Sequence, residues 1–110
     1  MAKVHHDGPR GNSANSADHF KELVIGVKPI EIRLNKAGQF HFEFFGTKAG
    51  EEVIILESGL NCGYHGTGPS YSFDILRMLG VPADLAQMVY ENDNLLYNFR
   101  VPNKPTVTTS

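Results

Sequence analysis

Two alternating runs, Ile30-Glu31-Ile32-Arg33-Leu34 and Phe40-His41-Phe42-Glu43-Phe44, constrain the fold more than any other feature of the chain. Apolar and polar side chains alternate with period two in both, the pattern of strands with one buried face. Asn35-Lys36-Ala37-Gly38 between them suits a type I turn followed by a left-handed glycine, the three-residue hairpin loop. Pairing Asn35 with Gln39 sets Leu34 against Phe40, Ile32 against Phe42 and Ile30 against Phe44. On the polar side the same register puts Arg33 opposite His41 and Glu31 opposite Glu43. A slip of one residue would mix the two faces.

Around this hairpin the remaining elements fall into place. Leu23 to Val27 reads as a short β-branched strand. Val53-Ile54-Ile55-Leu56 is too short for a helix and apolar throughout, which predicts a central strand covered on both faces. Gly46 to Gly50 is expected to connect it to the preceding strand. Pro69 suits the first turn of a helix over 70–79, in which Phe73, Ile75, Leu76 and Leu79 share one side and after which Gly80 ends the run. Pro82 opens a second helix with Leu85, Met88 and Val89 as its buried stripe. Leu95, Tyr97, Phe99 and Val101 alternate again as a last strand, closed by Pro102. The expected fold is therefore α+β: an antiparallel sheet of about five strands with two short helices packed on one side, in the order β-β-β-β-α-α-β.

The 110 residues suffice for one domain. Residues 1–18 are too polar to join a core and are expected to be a disordered tail, with the domain over 19–102 and a flexible Pro/Thr/Ser tail over 103–110. A folded part of about 80 residues buries a modest share of its surface, which favours a homo-oligomer. A net charge of −2 offers no basic footprint for polymeric nucleic acid or an anionic membrane. The single Cys62 excludes an internal disulfide, and no apolar stretch has signal-peptide or membrane-spanning length, so a cytoplasmic location is expected.

Chemistry is expected at Gly63-Tyr64-His65-Gly66-Thr67-Gly68-Pro69-Ser70, where three glycines precede a helix. Glycines let backbone N–H groups turn toward a ligand, and a helix start adds unpaired donors and partial positive charge. The segment is neither a P-loop, which requires Lys-Ser/Thr after its last glycine, nor the dinucleotide fingerprint, whose third glycine would fall near Tyr71. What remains is a nest of donors at Gly66, Thr67 and Gly68, the Thr67 and Ser70 hydroxyls, Tyr64 as a stacking ring and His65 within reach. The alternative is a tight turn whose glycines serve geometry alone. Arg33 and Arg100 are candidates to grip a phosphate or ribose, or are simply charges on a solvated face and edge.

Cys62 borders the turn without an assignable histidine–acid pair, so it reads as a buried, inert thiol and no catalytic residue is assigned. The five histidines, His5, His6, His19, His41 and His65, have no ligand spacing, so neither a metal nor a cofactor is expected. The two helices joined at Gly80 do not make a DNA reader, because the second carries Asp84 and Glu91 and no lysine or arginine.

Gly63-Tyr64-His65-Gly66-Thr67-Gly68-Pro69, with the helix after it, resembles a G-Y-x-G-x-G-P motif in small bacterial and phage-encoded proteins of unassigned function. By size, β-rich order and this turn the chain is also similar to phage anti-Thoeris proteins, which sequester cyclic ADP-ribose signals. The resemblance implies a non-enzymatic, anti-defence binding protein that takes a phosphorylated, nucleotide-derived signal of the cyclic ADP-ribose or cyclic oligonucleotide type. The rival expectation is a protein–protein interaction module, an immunity or host-takeover factor, using the sheet or an edge strand as its contact surface.

Overall fold

A computed structural model describes residues 3–6, 12–100 and 105–109. The elements are β1 (Lys3–His6), α1 (Ser13–Leu23), β2 (Lys28–Asn35), β3 (Phe42–Lys48), β4 (Glu51–Glu57), α2 (Thr67–Met78), α3 (Ala83–Ala86), a 3₁₀ turn (Gln87–Tyr90), β5 (Asn94–Asn98) and β6 (Thr106–Thr109). The strands form one six-stranded sheet in the order β1-β4-β3-β2-β5-β6. β1 runs parallel to β4 and every other neighbouring pair is antiparallel. The fold is α+β as expected, but the sheet is mixed and has six strands rather than about five.

The differences lie at the start and end of the chain. Leu23 to Val27 is not a strand: Leu23 ends α1, and the Val24 N–H donates to Phe20 O to close it. Residues 13–18, expected in a disordered tail, form the first half of α1. Asn12 caps this helix by accepting from the Asn15 N–H, and Ser16, Ala17 and Phe20 are buried. The segment is polar because its buried serine is hydrogen-bonded: Ser16 Oγ accepts from the Gly59 N–H, and Ser13 Oγ donates to Gly59 O. β1 falls in the same expected tail and β6 in the expected C-terminal one. Both strands are four residues long and sit at the sheet edges, where pairing with an existing strand overrides weak composition signals. Residues 1, 2 and 7–11 of the first tail, 103, 104 and 110 of the second, and the expected Val101 strand end with Pro102, lie outside the described residues.

The β2–β3 hairpin keeps its faces but shifts by two residues, pairing Leu34 with Phe42, Ile32 with Phe44 and Arg33 with Glu43. An even shift preserves the burial pattern. It also replaces the like-charged Glu31–Glu43 pair with an attractive Arg33–Glu43 pair and sets Glu31 against Phe45. The loop lengthens accordingly: the Asn35 N–H donates to His41 O, and the Lys36 N–H leaves the hairpin to donate to Asp93 O. Gly46 belongs to β3 rather than to a loop, and the next hairpin closes through Ala49 and Gly50 at φ 51° and 82°, the primed two-residue turn.

α2 begins at Thr67, with Pro69 in its first turn as expected, and the expected second helix is a single α-turn followed by the 3₁₀ turn. One face of the sheet carries Ile32, Leu34, Phe42, Phe44, Ile55 and Tyr97 into the core. Phe20 of α1 packs edge-on against Phe42 and Phe44 there, with ring centroids 5.3 and 5.2 Å apart. Ile75 and Leu76 of α2 join the same core, and the Tyr97 hydroxyl donates to Leu85 O at 2.7 Å. Among the described residues the opposite face has no covering layer. β4, expected to be central, is an interior strand next to the β1 edge, and Ile54 and Leu56 on that open side remain half-buried, not covered as the apolar run implied.

Candidate functional site

The segment that joins β4 to α2 is anchored before the glycines begin. Cys62 is fully buried; its N–H donates to Asn61 Oδ1 and its thiol to Asp93 O. The Gly63 N–H donates to Val89 O at 2.7 Å. Gly63 has φ +87°, and a β-carbon there would lie 2.5 Å from Asp93 Oδ1 and 2.9 Å from Lys36 Cδ. Only glycine fits that position.

Beyond it Tyr64 folds back over the helix start. A β-carbon on Gly66 would meet the Tyr64 ring at 2.7 Å, and one on Gly68 would meet its hydroxyl oxygen at 2.8 Å. The glycines thus make room for this ring as well as for any ligand. Gly66 caps α2 without a side-chain hydrogen bond, and the Ser70 N–H donates to Gly66 O. The Lys36 ammonium lies 5.7 Å above the Tyr64 ring and donates to Gly63 O at 3.4 Å, which brings one positive charge to the turn.

His65 turns the other way. Its ring stacks on Tyr90, 5.0 Å between centroids at an interplanar angle of 13°, and Nε2 donates to Glu91 Oε1 at 2.6 Å. The Tyr90 hydroxyl donates to Ser70 Oγ at 3.1 Å, tying the 3₁₀ turn to the first turn of α2. Beside these rings is an open groove of about 300 Å³ whose walls include His65, Asp84, Met88, Tyr90 and Glu91. It presents two stacked rings and two carboxylates, a surface suited to a planar group with N–H donors.

The structure divides the expected site residues in two. Tyr64, His65, Gly66, Thr67, Gly68 and Ser70 lie together at the turn. Arg33 and Arg100 instead meet on the open face of the sheet, where Arg33 Nε donates to Glu31 Oε2 at 2.6 Å and Arg100 Nη2 to Glu31 Oε1 at 3.2 Å. Arg33 also lies over the Phe45 ring at 5.2 Å, and its expected neighbour His41 contacts Asn35 O instead.

Burial and the nearby Asp93 carboxylate push the Cys62 thiol up to about 11. Among the described residues no group of three His, Cys, Asp or Glu side chains is gathered as a metal site.

Sequence reasoning missed Lys36, Tyr90 and Glu91. Lys36 is a hairpin-loop residue brought to the turn only by tertiary folding, whereas Tyr90 ends the expected second helix, whose polar rim was legible. It also missed the pairing of His19 Nδ1 on α1 with Glu57 Oε1 at the end of β4, which lies fully buried beneath the helix layer. Comparison with protein-family models, with curated proteins and with solved structures returns no match to this chain.

Proposed function

We propose that the protein is a non-enzymatic binding protein that sequesters a phosphorylated small molecule at the turn before α2, a nucleotide-derived immune signal of the cyclic ADP-ribose or cyclic oligonucleotide type. The observation that carries the reading is that three partly exposed rings, Tyr64 on one side and the His65–Tyr90 stack on the other, flank a helix start that the Lys36 ammonium approaches. A base stacks on the rings, and its edge donors meet Glu91 and Asp84 in the adjoining groove. Phosphate is received by the exposed Thr67 at the helix start, the Ser70 hydroxyl and Lys36, while Gly68 lies buried beneath the Tyr64 hydroxyl. Arg33 and Arg100, engaged with Glu31 on the open face, are not part of this binding set. The Cys62 thiol, which an enzymatic reading would recruit, is buried and stays protonated well above neutral pH, which supports binding over turnover.

A thermal-shift series with cyclic ADP-ribose isomers, ADP-ribose, cyclic oligonucleotides and inorganic phosphate tests the reading. A ligand at about 100 times its dissociation constant adds roughly 2.7 kcal/mol, a rise of many degrees for a small domain. The expected result is a selective rise, with the ligand recovered intact, that is lost in Lys36→Ala and in Gly66→Val. A flat series with unoccupied protein, or an unchanged rise in both variants, removes the assignment. The uncovered sheet face favours the second reading, a protein-interaction module, which predicts indifference to every nucleotide and tight association with a macromolecule.

A further inference from the structure

β4 is apolar on both of its faces, the pattern of a strand covered twice, yet the helices cover only one. On the open side the paired strands set their side chains in rows. One row passes through His6, Leu56, Glu43 and Arg33, and the next through Val4, Ile54, Phe45 and Glu31. The β1–β4 end of both rows is largely apolar and includes Val4, 54 % exposed in the single chain. The β2 end holds Glu31, 8 % exposed and bridged by Arg33 and Arg100. With Glu43, these residues make two carboxylates and two guanidinium groups, so two such faces meet without net charge.

We infer that this open face is the contact surface for a second copy of the chain, packed sheet on sheet about a two-fold axis running across the strands between the two rows. Such an axis brings each strand column against itself with the rows exchanged. Leu56 then lies over Ile54 and His6 over Val4 of the second copy, while Arg33 lies over its Glu31. The apolar columns cover one another and the charged column meets its own complement, as an isologous interface requires. Aligned packing of two sheets about 10 Å apart accommodates this arrangement. A heterologous occupant would need no such self-complementarity between neighbouring rows. The size argument agrees, since a domain this small buries a modest share of its surface alone.

The test is sedimentation equilibrium of the full chain, wild type beside Val4→Glu, Ile54→Glu and a control, Ile25→Glu. Ile25 is 70 % exposed in the turn after α1 and lies outside the open face. The wild type is expected to dimerise, and a carboxylate placed in the apolar columns to weaken the dimer roughly tenfold or more. Val4 is an exposed edge-strand position in the single chain, so Val4→Glu should melt near the wild type when both are compared at a concentration where the wild type is monomeric, even if Ile54→Glu folds poorly. Ile25→Glu should leave association unchanged. A wild type that remains monomeric at roughly 100 μM, free or bound to a different polypeptide, overturns the proposal. So does a dimer that Val4→Glu leaves intact, or one that Ile25→Glu dissociates.

Discussion

Each face of the sheet buries one glutamate, and the two are held in different ways. Glu57, on the helix-covered side, is fully buried and pairs with the His19 imidazole, whose side chain is about a third exposed at 32 %. Glu31, on the open side, lies between two guanidinium groups whose own side chains are mostly in solvent. A carboxylate taken wholly out of water needs its partner for the fold to tolerate it, whereas one at a solvated face keeps water in reserve. The covered face is therefore where stability resides. The open face, part apolar and part charged, is the one proposed to exchange solvent for a second copy.

Truncating an aromatic residue on each face should separate the two most clearly. Phe44→Ala removes a fully buried ring packed on Phe20 and should cost about 3–5 kcal/mol in urea unfolding. Phe45→Ala, the next residue on the opposite face, should cost about 1 kcal/mol when measured at a concentration where the chain is monomeric. Equal losses would mean that the open face is as structural as the core.

The glutamate partners give the next contrast. His19→Ala removes the imidazole from beside a fully buried carboxylate and should lose about 2–3 kcal/mol, less than for a wholly buried pair because water reaches the imidazole. Arg100→Ala removes an exposed side chain and leaves Arg33 on Glu31, so its loss should stay within about 1 kcal/mol. Denaturant midpoints at neutral pH rank the two, and the reverse order would break the comparison.

The legible part of this fold was the part written in strong periodicity. The alternation from Ile30 to Phe44 revealed both strands and the burial of Ile32, Leu34, Phe42 and Phe44, because an even register shift leaves the faces unchanged. It did not reveal that Ile30 at the bulge and Phe40 outside β3 stay half-buried while Glu31 is buried. The shift itself was not legible, since it depends on Arg33 meeting Glu43 and on Lys36 bonding to Asp93, a contact between distant parts of the chain. α1 was hidden for a different reason. Its polar sequence buries only Ser16, Ala17 and Phe20, and the serine becomes a core residue only once Gly59 supplies its donor. At the candidate site the glycine turn was visible by composition, but the same composition could not tell that Tyr64 would lie on Gly66 and Gly68. Nor could it show that Arg33 and Arg100 would both be drawn to Glu31, away from that turn.

At neutral pH the buried thiol beneath the covered face has the smallest effect, because its contribution changes only in alkali. Burial, reinforced by Asp93, raises the Cys62 pKa in the folded chain from 9.0 to about 11. Between roughly pH 9 and 11 the folded chain therefore holds a proton that the unfolded chain has released. The thiol's contribution is complete below pH 9 and is lost as pH rises toward 11, so stability falls through that window. Tyr97 shifts in the same direction, mainly by burial and partly through the Cys62 charge, and its own loss begins at higher pH. Wild type against Cys62→Ala isolates the thiol: the variant should show a shallower decline from pH 9 to 11 in urea midpoints, with little difference in slope below pH 8. Parallel curves across the window would mean that the thiol reaches water in the folded state. Rapid alkylation of Cys62 by iodoacetamide at pH 8 would say the same, and the covered face would then be open beside the glycine turn, close to where the ligand is proposed to bind.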